Sequence, residues 1–213
     1  MAVIYRRLDL PGIILAGGRS SRMGGGDKSL IELNGKTLLT HVIDRLGPQV
    51  DKLVLNANGD LSRFEEYNLP VISDSVKNYV GPLAGILSGM DWAARLGYES
   101  IITVAADTPF FHKDLVFKLK DECKHFASPI GLAATFNKIE NRKVRHPTFG
   151  YWQVSLRHDL RSALNYGVRK VVQWTESHNG IDVMFDESEQ ESFFNLNTRE
   201  DLAEATKGYG LNK

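Results

Sequence analysis

The residues from Leu15 to Lys28, LAGGRSSRMGGGDK, combine five glycines with three cations, Arg19, Arg22 and Lys28. Successive backbone N–H groups in a glycine-rich turn form a concavity that binds anions, because no Cβ blocks the approach. An arginine fork matches phosphate oxygens in pairs, and a lysine serves as a point charge. The chemistry indicated is the handling of a phosphorylated ligand. The stretch contains neither the G-x-G-x-x-G fingerprint nor the G-x-x-x-x-G-K-[ST] loop, which disfavours ordinary dinucleotide dehydrogenases and P-loop NTPases. A solvated loop whose glycines do nothing is the bland alternative. Five glycines and three cations directly behind a buried strand make it the poorer fit.

Other polar residues fall where strands should end. Asp107 follows the apolar run Ile101 to Ala106. A carboxylate there suits Mg²⁺, which takes one or two carboxylates and fills its octahedron with waters and substrate phosphates. Capping the turn with Thr108 and Pro109 is the competing role, and position alone leaves both open. Asp74 has the same two readings, with the cap slightly favoured. Asn56 and Asn58 either donate to a base or ribose or shape their own turn. Gly81 to Gly85 opens a helix whose N-terminus suits an anion or a base edge, while its small residues equally suit close packing on a sheet. The six histidines show no metal spacing. Cys123 reads as an unreactive thiol, and Trp92, Trp152 and Trp174 as core or rim. No G-x-S-x-G elbow suggests a serine hydrolase.

The elements that must position these residues alternate. Gly12 to Ala16, Lys52 to Asn56, Val71 to Ser73 and Ser100 to Ala105 read as strands buried on both faces. Helices are expected over Thr37 to Leu46, Gly81 to Leu96 and Lys113 to His125. Pro82 suits the first position of the second of these. Beyond Ser128 the pattern is less regular. Ile130 to Phe136 and His146 to Gln153 look like strands around an exposed loop, Asn137 to Arg145. Ser155 is expected to cap a helix ending at Tyr166. Val168 to Glu176 reads as a short helix, Ile181 to Phe185 and Phe193 to Leu196 as strands, and Thr198 to Asp201 as a capping box. Alternating strands and helices imply parallel pairing in one three-layer α/β domain. Ligands of such sheets bind outside the carboxyl ends of the strands, near a switch in strand order.

Composition narrows the class further. The 213 residues are 42% hydrophobic and 24% charged, which argues against wholesale disorder. Lys plus Arg balances Asp plus Glu at 26 each, so the basic excess of a general nucleic-acid binder is absent. No run of ~18 apolar residues would span a bilayer. The first nine residues hold two arginines and no signal-type stretch. A single cysteine excludes an internal disulfide and suits a reducing, cytoplasmic compartment. Neutral charge and the lack of an apolar stripe lean toward a monomer.

The residues now in view resemble the molybdenum cofactor guanylyltransferases, the MobA family. The likeness rests on the loop from Leu15 to Lys28 and on motifs in order behind it: Leu33 to Lys36, Asn56-Ala57-Asn58, Asp74-Ser75, Gly81 to Gly85, Asp107-Thr108-Pro109, His146-Pro147-Thr148 and Asn195 to Thr198. The loop alone indicates the wider nucleotidyltransferase superfamily. Its Gly17-Gly18 ending, together with Gly-Pro-Leu-Ala-Gly, points to guanine rather than cytosine. Departures are small: Arg199 stands where a proline is common, and Ala106 where a cysteine or another small residue precedes the aspartate.

The resemblance implies a Rossmann-like nucleotidyltransferase fold with a mostly parallel sheet. Residues 12–125 would bind GTP and residues 126–205 the acceptor. The implied reaction moves GMP from GTP to molybdopterin carrying molybdenum, giving the guanine dinucleotide cofactor and pyrophosphate. Leu15, Ala16, Gly17, Gly18, Asn56, Asp74 and Gly81 would meet the nucleotide, and Lys28 its phosphates. Asp107 would touch GTP and Mg²⁺, for which Mn²⁺ can substitute. Arg19, Arg22 and Lys28 would stabilise departing pyrophosphate, and Asn195 and Asn197 would complete the metal or acceptor site. Delivery proteins and acceptor molybdoenzymes are the implied protein partners, with no nucleic acid and no membrane. Rivals are a cytidylyl- or sugar-phosphate nucleotidyltransferase, and a non-catalytic nucleotide sensor. Asp107 together with the cationic loop weighs against the last.

Overall fold

Unbroken apolar runs such as Gly12 to Leu15 bury side chains on both faces, so they belong in the middle of a sheet covered twice. A computed structural model, which describes residues 8–17, 27–76, 81–186, 193–196, 201, 202 and 205, shows that arrangement. In chain order the strands are β1 (Gly12–Leu15), β2 (Glu32–Leu33), β3 (Lys36–Thr37), β4 (Leu53–Asn56), β5 (Val71–Ile72), β6 (Ser100–Ala105), β7 (Ile130–Asn137), β8 (Arg142–Gln153) and β9 (Ile181–Met184). The helices are α1 (Leu38–Leu46), α2 (Pro82–Arg95), α3 (Leu115–His125), α4 (Arg157–Asn165) and α5 (Val171–Ser177). Seven strands make one sheet in the order β5-β4-β1-β6-β8-β7-β9, and β2 and β3 form a small separate hairpin.

Three layers follow from the alternation of side chains along each strand. Ile14, Leu55, Ile102 and Val104 pack with Leu39, Val42 and Leu46 of α1 and Leu115 and Leu119 of α3. Ile13, Val54 and Ile101 face the other way, onto Ile86, Leu87 and Met90 of α2, Leu160 of α4 and Trp174 of α5. Close approach of helix to sheet depends on missing side chains. A Cβ on Gly89 would stand 2.8 Å from Ile13, and one on Gly12 would stand 2.7 Å from Leu46. Thr37 caps α1 by accepting the Thr40 N–H at 3.1 Å.

The strand pairs β1–β4, β1–β6, β4–β5 and β7–β9 are parallel, as expected. The exception is β8, antiparallel to both β6 and β7. Its first residues correct the reading of Asn137 to Arg145 as a loop. Arg142 to Arg145 are paired with Asn137 to Ala134, and only residues 138–141 turn. Their polar character reflects a partly solvated surface, on which Lys143 and Arg145 hold Asp182. The register then shifts between Leu132 and Ala133, opposite Gly150 and His146. Pro147, which has no N–H to give a ladder, falls within that irregular stretch.

Two further expectations fail. Ser155 lies inside a 3-10 turn, Val154–Leu156, and α4 starts after it without a side-chain cap. Phe193 to Leu196 joins no strand. Its Phe193 ring stacks on His146 at 4.4 Å, and the Leu196 N–H donates to the Asp107 carbonyl at 3.0 Å. The expected capping box rests on Thr198, outside the described residues. No helix among the described residues is long and apolar enough to cross a membrane.

Candidate active site

The chain runs outward from β1 through β4 to β5, then returns by α2 to β6 on the other side of β1. The switch in strand order is therefore between β1 and β6, where ligands of open α/β sheets bind. The last paired row across the parallel strands is Ile72, Asn56, Leu15 and Ala105, side by side in register. Two residues beyond that row on each chain come Asp74, Asn58, Gly17 and Asp107. Four segments far apart in sequence thus deliver their polar residues to one edge.

Asp107 and Thr108 form one corner of this edge. The Ala106 N–H donates to the Leu15 carbonyl at 3.1 Å, extending the β1–β6 pairing to the foot of Asp107. Thr108 is fully buried; its hydroxyl approaches the Asp107 carboxylate at 3.3 Å and donates to the Asn195 side-chain oxygen. Burial raises the Asp107 carboxyl above its ordinary range, while the positive charge of Lys28 and the Thr108 hydroxyl pull it back. Lys28 opens a 3-10 turn that Asp27 caps, accepting from the Ser29 N–H at 3.2 Å and the Ser29 hydroxyl at 2.8 Å. The glycine-rich loop therefore ends on a braced turn that directs a cation's field at Asp107.

The other half of the edge is a clasp around Asp74. One carboxylate oxygen accepts from the Asn56 amide at 2.9 Å and the other from the Asn58 amide at 2.8 Å. The Asp74 N–H returns a bond to the Asn58 side-chain oxygen at 3.0 Å. Among the described residues Asp74 ties the exits of β4 and β5 together through these amides. Asn56 is only 3% exposed. A Cβ on Gly85 would stand 2.2 Å from its Oδ1, so the glycine of the α2 motif makes room for this amide. Ser88, one turn on, accepts the Ser75 N–H at 2.8 Å and tethers the same loop. Gly81 precedes α2 at φ 138°, a conformation that other residues rarely adopt. Gly85 therefore serves packing, and Gly81 serves the backbone turn into α2.

Of the expected site residues, Leu15, Ala16, Gly17, Lys28, Asn56, Asp74, Gly81, Asp107 and Asn195 are among the described residues. Lys28 acts on Asp107 through its charge, and Asn195 joins that corner through Thr108. Asn56 and Asp74 form the neighbouring clasp, with Gly17 beside Asn58. Gly18, Arg19, Arg22 and Asn197 lie outside the described residues. Asp27 and Arg63 were missed. Arg63 donates from Nε to Asp27 at 2.8 Å across 36 positions of sequence, a pairing that no local pattern announces.

The model of the "MobA-like NTP transferase domain" family matches residues 12–180. The chain belongs to this family. As a MobA-like protein it is a nucleotidyltransferase. It is 47% identical over 201 residues to a molybdenum cofactor guanylyltransferase of Bradyrhizobium, covering 93% of this chain and 92% of the relative. A protein of the same name from Mesorhizobium japonicum is 41% identical, covering 94% and 96%. Among solved structures, molybdopterin-guanine dinucleotide biosynthesis protein A of Archaeoglobus fulgidus superposes with a TM-score of 0.70 at 24% identity, covering 93% of this chain and 97% of that one. At that identity the likeness speaks for the fold.

Proposed function

We propose that this MobA-like chain transfers GMP from GTP to the terminal phosphate of molybdenum-bearing molybdopterin, yielding the guanine dinucleotide cofactor and pyrophosphate. The observation that carries the reading is that Asp107 and Gly17 each follow by two residues the paired Ala105 and Leu15 at the β1/β6 switch, with Lys28's charge acting on the carboxylate. The names of its relatives supply the acceptor and the base.

The donor set fits a divalent cation. Asp107 is a partly desolvated carboxylate whose burial penalty Lys28 only partly offsets. Mg²⁺ needs only one or two such groups, the remainder coming from phosphates and water. When bound, that ion supplies charge neutralisation at the α-phosphoryl group, and Mn²⁺ is expected to substitute. The chain's own residues bind and orient. Leu15, Ala16, Gly17 and Gly18 bring backbone close to the nucleotide, and Lys28, Arg19 and Arg22 hold the β- and γ-phosphates. The Asn56–Asp74–Asn58 clasp forms the lip that meets the nucleoside, and Gly81 is the further nucleotide contact. Asn195, whose side-chain oxygen accepts from Thr108 beside Asp107, and Asn197 would complete the metal or acceptor site from the acceptor half, residues 126–205.

The acceptor phosphate is already ionised near neutral pH, so no protein base is needed. Its oxygen forms the new bond to the α-phosphorus as the bond to the β-phosphate oxygen breaks. Catalysis is then positioning and charge stabilisation. The purified chain with GTP, Mg²⁺ and molybdenum-bearing molybdopterin should release pyrophosphate and form the guanine dinucleotide. CTP in place of GTP should support little. Equal or better use of CTP, or pyrophosphate release only with a sugar phosphate, would overturn the assignment.

A further inference from the structure

We infer that Arg63 is a positioning residue that holds the two lips of the nucleotide site at a set separation. This rests on the function proposed above, and Arg63 acts in it through Asp27 and Asn58. Arg63 spends its guanidinium on two chain segments at once. Nε donates to the Asp27 carboxylate at 2.8 Å, Nη2 to the Asn58 carbonyl at 2.9 Å, and Nη1 to the Asp60 carbonyl. Asp27 caps the turn that carries Lys28, whose charge acts on Asp107. Asn58 holds Asp74. One planar group therefore ties the phosphate lip to the nucleoside lip. Its own base is fixed: the guanidinium lies 4.4 Å over the ring of Phe64, which is 1% exposed in the core.

Stability alone gives a poor account of this arrangement, because partly exposed ion pairs add little to it. Geometry gives a better one. An arginine fork can satisfy three acceptors in fixed directions, and a lysine ammonium cannot reproduce that fork. Loosening it would let Lys28 drift relative to Asp107, and small misplacements of a binding group are costly in rate.

The test compares Arg63→Gln, Arg63→Lys, Asp27→Asn and the double variant Arg63→Gln/Asp27→Asn in full-length protein. GTP affinity is read by calorimetry, and steady-state kcat and KM are read for GTP and for the acceptor. Each single variant should lose on the order of 10- to 100-fold in kcat/KM for GTP, mainly through KM. The acceptor KM and the Tm of the ligand-free protein should stay near wild type. The double variant should be no worse than the worse single one, because both residues act through one contact. Wild-type kcat/KM in Arg63→Lys would overturn the fork. Additive losses, or losses matched by a fallen Tm, would overturn the positioning role. If wild type uses CTP rather than GTP, the proposed donor fails while Arg63 is judged by the same ratios measured with CTP. A wild type that neither binds nor turns over either nucleotide would overturn both.

Discussion

The two halves of the sheet are built on different plans. From β5 to β6 every pairing is parallel, so each crossover starts at the same edge and Asp74, Asn58, Gly17 and Asp107 collect there. From β8 to β9 the chain doubles back as a hairpin, which sends successive strand ends to opposite edges. That half reaches the site by a different route: the segment Phe193 to Leu196 returns to Asp107 through the Leu196 N–H and to Thr108 through Asn195. Parallel topology concentrates chemistry without loop engineering, whereas the antiparallel half needs a tethered strap held by stacked rings.

Substitutions can break that contrast. The largest effect is expected at Asp107. Asp107→Ala should cut kcat by about 10²–10³-fold or more in the transfer assay while circular dichroism stays native. Its folding effect runs the other way. Burial raises the folded carboxyl pKa, so the ionised form costs stability once pH exceeds that raised value, and the cost vanishes below the ordinary value near 3.8. Ligand-free Asp107→Asn should therefore melt at or above wild type at pH 7, with the difference shrinking as pH falls toward 4.

In the strap half, His146 should dominate the acid response. Burial lowers its pKa from 6.5 to about 4, and its Nε2 lies 3.0 Å from the Thr135 hydroxyl. A histidine kept neutral in the fold stabilises it above the unfolded pKa and loses that contribution as pH drops. Urea unfolding should show a loss of roughly 3 kcal/mol between pH 6.5 and about 4, much reduced in His146→Gln. Gly85→Ala tests the parallel half again. Its Cβ must push Asn56 aside, so a cost of about 1–3 kcal/mol is expected, with weakened GTP binding by calorimetry. The smallest effect is Thr37→Ala, about 1 kcal/mol in chemical denaturation from loss of the α1 cap and no change in KM.

The same contrast explains what could be read from sequence. Ser100 to Ala105 was legible to the residue, because a strand buried on both faces writes an apolar run bounded by turn residues. The placement of Asp74, Asn56, Asn58 and Asp107 at strand ends was legible for the same reason, since parallel topology brings those ends to one edge. Arg142 to Arg145 were not, because a partly solvated hairpin strand with two basic side chains has the composition of a loop. Ser155 looked like a cap but is absorbed into a 3-10 turn. Phe193 to Leu196 looked like a strand because its apolar residues pack against rings instead of a ladder. The link that Arg63 makes between Asp27, 36 positions away, and Asn58 was not legible, because only the folded chain brings them together.

Sheet margins have one more consequence. The longest strand, β8 with 12 residues, lies between two neighbours, while the outermost strands β5 and β9 have two and four. Short margins, one of them flanked by the Lys143–Asp182–Arg145 charges, offer little template for an incoming foreign strand. At high concentration this sheet should resist edge-to-edge growth into aggregates.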